Sequence, residues 1–267
     1  MGTSSFSEIR EIRLQFNVYL YRKIRIYLYE KYTSCFTPFF ISYHGLCHQL
    51  GYHGIDVSHH NGKIDWKVVK QNKRIQFVYI KASEGKTYVA PNNKTNLRNA
   101  RKNGLKVGSY HFFRMTSGAH EQFQNFKKVV KKGEQDLIPM VDVETNDCHS
   151  IKETRDSLRV FLRLVEKYYG VKPMIYGTNR SYNTICGIWF NRYKLYLGRY
   201  GQKPPRIRGS EHYLIWQYSE KGRIKGIPKS VDLCRFHPKH AMKNIIYRKP
   251  SMNRYIYHDS FLYTLIG

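Results

Sequence analysis

Acidic residues are scarce in this sequence of 267 residues. It has 19 Asp and Glu against 46 Lys and Arg, which gives a formal net charge of +27. Such a charge attracts polyanions, whether nucleic acid or the anionic polymers of a cell envelope. The basic residues are spread along the whole chain, and no helix-turn-helix, zinc-finger or RNA-binding signature accompanies them. We therefore predict no specific nucleic-acid partner and keep anionic envelope polymers as candidates.

The sequence also lacks the short motifs of several enzyme classes. It has no Gly-x-Ser-x-Gly elbow, no Walker loop and no Rossmann fingerprint. His59, His60 and His111 with Asp56 form an alternative metal set, but adjacent residues of an extended segment point to opposite sides. We therefore predict neither a metal nor a cofactor. No CxxC pair occurs among the five cysteines, whose wide spacing permits one or two disulfides but requires none: Cys35, Cys47, Cys148, Cys186 and Cys234.

A long apolar run is missing as well. Residues 9–31 mix Tyr, Ile and Leu with Arg and Lys, and residues 32–55 carry no charged side chain, an order typical of a signal or an anchor. Pro, Gly and His residues interrupt the uncharged part, which falls short of about 18 clean apolar residues. Residues 1–51 are predicted as an N-terminal extension. A signal-anchor, membrane association through residues 9–50 and an ordinary extension all stay open.

From residue 54 onward, short apolar runs alternate with amphipathic segments. Runs rich in β-branched and aromatic residues predict about eight strands, at 54–58, 77–81, 107–113, 137–143, 173–176, 195–198, 213–218 and 230–233. Helical periodicity follows the first strands, from Asp65 as a cap before Trp66 and over 92–103, 118–132 and 151–169. No long helix separates the last three strands. This order predicts an α/β fold, a TIM-like parallel barrel of (β/α)5(β)3 type over residues 52–240, with a basic C-terminal tail over 241–267.

Several of the scarce acids stand at the ends of predicted strands. In such a barrel, the carboxyl ends of the strands form the reactive face, and they would carry Asp56, Asp142, Glu144 and Asp232. Residues two apart on a strand share a face at about 6.5–7 Å, so Asp142 and Glu144 should interact and one pKa should rise. A protonated carboxyl beside an ionised one is what glycosidic cleavage needs. Solvated strand ends and turn residues remain the alternative interpretation at this point.

Aromatic and polar residues accompany these acids at the same predicted face. Aromatic rings stack on sugar rings, while Gln and Tyr can form hydrogen bonds to hydroxyl groups. Packing in the barrel core is the alternative, for Trp216 in particular. The candidate substrate-binding residues are Glu84, Tyr110, Tyr176, Trp216, Gln217 and Tyr218.

Short segments in a particular order strengthen this interpretation. They are Gly54–Ser58 with Gly62–Trp66, Phe77–Gly85, Gly108–Arg114, Pro139–Glu144, Ile175–Gly177, Ile215–Ser219 and Val231–Leu233. Together they resemble the family 25 glycoside hydrolases, the Chalaropsis-type lysozymes. The resemblance implies a barrel whose last three strands lack regular helices. It also implies hydrolysis of the β-1,4 bond between N-acetylmuramic acid and N-acetylglucosamine in peptidoglycan.

The resemblance further implies roles for the acids. Glu144 corresponds to the general acid and Asp142 to a group that stabilises the oxocarbenium ion or the substrate's acetamido group. Asp56 and Asp232 correspond to acids that line the same site. Cys234 departs from the family, which often has Asn there, and we expect an altered cleft edge rather than lost activity. A non-catalytic peptidoglycan-binding barrel and a hydrolase of another N-acetylated glycan are the alternatives.

A peptidoglycan substrate also has a consequence for location. Peptidoglycan lies outside the cytoplasm, so the resemblance predicts an extracellular or envelope protein. No clear export signal accompanies this prediction, because the N-terminal segment is charged and interrupted.

Overall fold

A computed structural model describes residues 53–208 and 213–248. The predicted N-terminal extension (1–51), with its membrane-association segment (9–50), lies outside the described residues, as does the chain beyond 248. Within the described ranges, no helix is both long enough and apolar enough to cross a bilayer.

The described residues form nine strands and five α-helices. The strands are β1 (Gly54–Val57), β2 (Phe77–Glu84), β3 (Tyr88–Val89), β4 (Lys106–Phe112), β5 (Met140–Asp142), β6 (Met174–Thr178), β7 (Lys194–Gly198), β8 (Ile215–Gly222) and β9 (Val231–Phe236). The helices are α1 (Trp66–Gln71), α2 (Asn93–Lys102), α3 (Ala119–Val129), α4 (Ile151–Tyr169) and α5 (Asn179–Ser181). A π-turn (Tyr182–Cys186) and a 3-10 turn (Gly187–Phe190) follow α5.

Eight of these strands close into a barrel. They run in the order β1-β2-β4-β5-β6-β7-β8-β9, with β9 paired back to β1, while β3 forms a hairpin on the end of β2. The TIM-like α/β barrel is confirmed. No regular helix of the described residues lies between β7 and β9, as predicted.

The last strand corrects one expectation. The alternation of strands and helices predicts a parallel sheet, and the neighbouring barrel strands from β1 to β8 are parallel, but β9 is antiparallel to both β8 and β1. The physical reason is the length of the connection, because only residues 223–230 join β8 to β9. A parallel crossover needs about a dozen residues or more, whereas a short loop can return the chain antiparallel.

Helix α4 has the predicted bounds because its two ends are strongly marked. Ser150 accepts a hydrogen bond from the backbone N–H of Glu153, whose side chain bonds back to Ser150 N–H, and this capping box starts the helix. Gly170 ends it in the left-handed conformation, with φ of 70°. By contrast, the helix predicted over 118–132 ends earlier, at Val129, and the strand predicted over 137–143 shortens to β5.

Aromatic rings fill the barrel interior. Tyr79 on β2 contacts Tyr196 on β7 with ring centroids 6.2 Å apart, although these strands are not neighbours in the sheet. The contact therefore crosses the barrel. A Cβ on Gly108 would lie 2.5 Å from the Tyr79 ring, so only glycine leaves room for that ring. Asp56 pairs in register with Tyr79 and consequently faces the same interior.

The barrel packing continues past the predicted boundary at residue 240. Ile245 is fully buried, and its carbonyl accepts a hydrogen bond from Ile138 N–H. The Tyr247 hydroxyl donates to the carbonyl of Tyr169 at 2.9 Å. Residues up to Tyr247 thus belong to the barrel unit, because they cover the amino-terminal side of β5 and the end of α4.

Candidate active site

Asp56 lies at the floor of the site and is held by hydrogen-bond donors from across the barrel. The Tyr196 hydroxyl donates to its Oδ2 at 2.6 Å, and Gln217 Nε2 donates to both oxygens at 3.0 and 3.2 Å. The Tyr176 hydroxyl in turn donates to Gln217 Oε1 at 2.6 Å. Three donated bonds to one carboxyl favour its ionised form. This network fixes the orientation of Asp56.

Asp232 lies directly opposite Asp56, because the two residues pair in register on β9 and β1. Burial, then the charge of Asp56 and a hydrogen bond to it, raise the pKa of Asp232 to about 9. Burial also raises the pKa of Asp56, but hydrogen bonds from Tyr196, Asp232 and Gln217 oppose that rise. At neutral pH, Asp232 therefore keeps its proton and donates it to the Asp56 carboxylate. Asp232 reaches this face from the amino end of an antiparallel strand, not from the carboxyl end that the sequence suggested.

Asp142 and Glu144 form a second carboxyl pair. Asp142 ends β5 with 6% of its surface exposed, whereas Glu144 lies two residues beyond the strand and is exposed. Burial, followed by the charges of Glu144 and Asp56, raises the pKa of Asp142 well above its usual value. Although Glu144 as a residue is exposed, partial desolvation of its carboxyl group raises its pKa, while a hydrogen bond from Asp142 opposes this rise. The pair thus holds one proton, which resides mainly on Asp142 in the free protein.

One oxygen of Asp142 lacks a donor. Its Oδ1 is fully buried, and no N–H or hydroxyl group among the described residues donates to it. Buried polar atoms in folded proteins usually have a partner. The missing donor disfavours a negative charge on Asp142, in agreement with its raised pKa.

Among the predicted substrate-binding residues, Tyr110, Tyr176, Gln217 and Glu84 lie around the acids. The pKa of Tyr110 is raised by burial and then by the charges of all four acids, so its hydroxyl lies among them. Glu84 accepts from Lys81 Nζ at 2.7 Å and from Arg114 at 3.3 Å. The Lys81 charge also opposes the rise in the pKa of both Asp142 and Glu144. Lys81 therefore lowers the cost of negative charge in the site.

Trp216 and Tyr218 contact each other, with ring centroids 6.1 Å apart, and Tyr218 lies at an irregularity of β8 between Gln217 and Ser219. Trp216 is 3% exposed, and its indole N–H donates to the carbonyl of Arg199 at 2.6 Å. The Arg235 guanidinium lies 4.4 Å from the Trp216 ring centroid and 5.3 Å from that of Tyr218. The structure brings these two aromatic residues together with Arg235.

Two tyrosines of the site were not singled out from the sequence. Tyr196 could have been found from the alternation of β7, which points it into the barrel. Tyr200 follows β7 and is 48% exposed, and its hydroxyl is hydrogen-bonded to Tyr176. Burial of the hydroxyl, then the charges of Asp232 and Glu220, raise the pKa of Tyr200. No local sequence signal marks Tyr200, because it lies in a loop.

His111 was considered for a metal site together with His59 and His60. The ring centroids of His59 and His60 lie 3.8 Å apart rather than on opposite sides, because the two residues form a 3-10 turn instead of an extended segment. His111 contacts the Ser83 hydroxyl at 2.8 Å and Gln122 at 3.2 Å, and it stacks on Phe161 of α4 outside the barrel. Burial lowers the pKa of His111 to about 3, so its ring is neutral. His59 contacts the Tyr88 hydroxyl at 3.0 Å. Across residues 53–208 and 213–248, no three His, Cys, Asp or Glu side chains form a group that could hold a metal ion.

Three cysteines lie in the described part of the chain, and all three are free thiols. Cys148 is exposed, and Cys186 and Cys234 are buried. Burial, followed by the charge of Asp56, raises the pKa of Cys234 well above its usual value. Cys234 is therefore a neutral thiol beneath the acids. Cys35 and Cys47 lie outside the described residues.

The arrangement combines ionised and protonated carboxyl groups in one cleft. In each of the Asp56–Asp232 and Asp142–Glu144 pairs, burial raises the pKa of both carboxyl groups, and the charge of the partner further raises that of Asp232 and of Asp142, which favours a shared proton. Of the four acids, Glu144 is the one with an exposed side chain, so it is the group that can reach a leaving oxygen. Such a site can protonate a glycosidic oxygen and stabilise a developing positive charge.

Comparisons with known proteins agree with this geometry. The sequence profile of Glycosyl hydrolases family 25 matches residues 55–227. The uncharacterized protein YegX of Escherichia coli O157:H7 is 36% identical over 189 residues, which cover 69% of each chain. The autolytic lysozyme of Clostridium acetobutylicum is 31% identical over 184 residues, 68% of this chain and 55% of that one. A bacterial lysozyme of Streptomyces coelicolor has a similar crystal structure, with a TM-score of 0.65 and 28% identity over 70% of this chain and 92% of that chain. The chain therefore belongs to family 25 of the glycosyl hydrolases and is a glycoside hydrolase of the lysozyme type.

Proposed function

We propose that this protein is an N-acetylmuramidase that hydrolyses the β-1,4 bond between N-acetylmuramic acid and N-acetylglucosamine in peptidoglycan. The observation that carries the proposal is the exposed carboxyl of Glu144, hydrogen-bonded to the buried Asp142. Family membership and the lysozymes among the similar proteins support the substrate class. Glu144 is the general acid in this proposal.

The proton reaches Glu144 from its partner when substrate binds. In this proposal the acetamido N–H of the sugar donates to the carboxyl of Asp142, which keeps an exposed fraction of 6%. A donated hydrogen bond favours the ionised form of a carboxyl and lowers the pKa of Asp142. The proton then moves along the existing hydrogen bond to Glu144, which transfers it to the leaving glycosidic oxygen. Asp142, now ionised, holds the acetamido group against the developing cation.

Asp56 and Asp232 act as a second, fixed charge. Asp56 stays ionised through its three donors, and its negative charge favours positive charge on the sugar ring. Tyr196 and Gln217 hold Asp56, and the acetamido group occupies Asp142, so neither acts as a covalent nucleophile in this scheme. The substrate's acetamido oxygen or a water molecule attacks in this scheme, which leaves two routes that differ in stereochemical outcome.

The proposed substrate also sets where the protein acts. Peptidoglycan lies outside the cytoplasm, so we propose action in the cell envelope or the extracellular space. The segment that would direct export is the predicted extension over residues 1–51, which is outside the described residues.

The test compares the parent protein with Glu144→Gln on purified peptidoglycan. Glu134→Gln is the matched control, because Glu134 precedes β5 and so lies at the opposite end of the barrel. After borohydride reduction, muramitol-terminated fragments should appear with the parent and the control. Turnover by Glu144→Gln should fall about 10²–10⁴-fold, the usual effect of losing a general acid.

The other outcomes separate the alternatives. Glucosaminitol ends would mean that the other glycan bond is cut. Binding of peptidoglycan without release by the parent would indicate a non-catalytic wall-binding barrel. Release from chitin oligosaccharides alone would indicate a hydrolase of another N-acetylated glycan. Equal turnover by the parent and Glu144→Gln would contradict the assignment of the acid.

A further inference from the structure

An arginine-lined cavity lies beside the carboxyl cleft. Its volume is about 530 Å³, and its lining contains no acidic residue. Within the described residues, none of the arginines in the lining has a carboxylate within ion-pair distance. We name this cavity the arginine pocket, lined by Arg155, Asn179, Arg180, Asn183, Thr184 and Arg208.

The arginine pocket opens on the same end of the barrel as the acids. Its lining comes from α4, α5, the π-turn after α5 and the segment after β7, which all follow the carboxyl ends of parallel strands. The Ser181 hydroxyl donates to the carbonyl of Val143 at 2.9 Å. Arg180 is the neighbour of Ser181, and Glu144 is the neighbour of Val143. Arg180 and Glu144 are therefore each one residue, about 3.8 Å between Cα atoms, from the two residues that this hydrogen bond joins.

The guanidinium group of Arg155 is held in place by backbone carbonyls. Its Nε donates to the carbonyl of Ile185 at 2.6 Å, and its Nη2 donates to that of Thr184 at 3.0 Å. The guanidinium group also lies over the Trp189 ring, 5.6 Å from its centroid. Because these partners are neutral, the positive charge of Arg155 is not cancelled.

The loop that carries Arg208 is also fixed. Asn183 Oδ1 accepts from Arg208 N–H at 2.8 Å, and Asn183 Nδ2 donates to the carbonyl of Arg206 at 2.8 Å. Asn179 Oδ1 accepts from Arg206 N–H at 2.7 Å. These bonds join the loop to the segment that begins with α5, so the backbone positions that carry Arg180 and Arg208 are held relative to each other. The pocket is therefore preorganised for an anion, which reduces the ordering cost of binding.

We propose that the arginine pocket binds the carboxylates of the peptide stem carried by the muramic acid residues of the substrate. This inference rests on the proposed function and adds that the enzyme prefers glycan with stems over bare glycan. Guanidinium groups pair with carboxylates through two parallel N–H···O bonds, which suits a short peptide with free carboxylates. A stem beside the scissile bond would lie near Glu144, and the hydrogen bond from Ser181 to the Val143 carbonyl joins the wall of the arginine pocket to the segment that carries Glu144.

The test measures kcat/KM on soluble glycan chains with their stems and on the same chains stripped by an amidase. The pocket variant is Arg180→Gln with Arg208→Gln, both exposed positions. The control is Arg98→Gln with Arg163→Gln, which removes the same charge from exposed helix positions outside the pocket lining. The ratio of kcat/KM with stems to kcat/KM without them should fall about tenfold in the pocket variant through KM, and should stay at the parental value in the control.

The outcomes distinguish this inference from the proposed function. If the parent releases no reducing ends from either substrate, the proposed function fails. If the parent is active and the pocket variant keeps the parental ratio, the arginine pocket does not bind the stem. An equal loss of kcat/KM on both substrates would indicate that the arginines contact the glycan, and it would also overturn the inference. Arg180→Lys with Arg208→Lys keeps the charge but not the paired geometry, so its ratio should be intermediate.

Discussion

Removal of the Tyr196 hydroxyl tests whether cross-barrel donors keep Asp56 ionised. Tyr196→Phe deletes a 2.6 Å bond to Asp56 Oδ2 and leaves both donors from Gln217 in place. A hydrogen bond to a charged group contributes about 1.5–3 kcal/mol. One pKa unit corresponds to about 1.36 kcal/mol, so the pKa of Asp56 should rise by about one to two units.

The effect on stability has a defined sign. Burial already raises the pKa of Asp56 above the unfolded value of about 3.9. The folded protein therefore binds the proton more tightly than the unfolded chain, and stability falls as pH rises from about 4 through the folded pKa. In Tyr196→Phe this fall continues to a higher pH. The loss relative to the parent should be small in acid and reach about 1.5–3 kcal/mol above the folded pKa of the variant.

Urea unfolding at a series of pH values measures this difference, and the pH profile of kcat/KM should shift the same way. Tyr79→Phe is the matched control, because the hydroxyl of this buried tyrosine donates to the neutral carbonyl of Ile138 at 3.1 Å. Its loss should be about 0.5–1.5 kcal/mol and independent of pH. A pH-independent loss in Tyr196→Phe, equal to that of the control, would refute the reasoning.

Further predictions concern the other residues of the cleft. Asp232→Asn should keep kcat within about threefold of the parent below pH 9, because its pKa of about 9 keeps the native side chain neutral. Asp56→Asn should lower kcat more than about 100-fold. Equal losses of kcat in a turnover assay would contradict this prediction. Trp216→Ala should lower the free energy of unfolding by about 3–5 kcal/mol, since the ring is buried. Tyr200→Ala should instead raise KM severalfold with little change in the free energy of unfolding, because the exposed ring lies at the mouth of the cleft. A destabilised Tyr200→Ala and a Trp216→Ala changed only in KM would contradict both assignments. Ser150→Ala should lower the free energy of unfolding in urea by about 1 kcal/mol, because α4 loses its N-terminal cap. An unchanged free energy of unfolding would mean that the cap is dispensable.

Some of the fold could be predicted because its signals are local. Helix α4 was predicted residue for residue, since a capping serine, an apolar stripe and a left-handed glycine all lie within its own segment. The direction of β9 could not be predicted in the same way. Its residues predict a strand but not the direction of that strand, which only the pairing with β1 and β8 decides.

The candidate site also contains residues that the sequence predicts and residues that only the tertiary structure identifies. The sequence marked the acids because carboxylates are rare in this chain and stand where strands end. It could not tell that Trp216 faces Arg235 while Gln217 faces Asp56, since a register shift of one residue exchanges the two faces. Tyr200 and the arginine pocket come from loops and helices that meet only after the barrel closes.

The chain by itself thus determined the fold class, the strand positions and the acids, because hydrophobic periodicity and residue type are properties of short segments. Tertiary structure alone decided how the acids divide into pairs. Asp56 and Asp232 are 176 positions apart in the sequence, yet they share one proton because β1 and β9 are hydrogen-bonded neighbours. Burial and mutual charge set which carboxyl is protonated, and both depend on distances that exist only in the folded barrel.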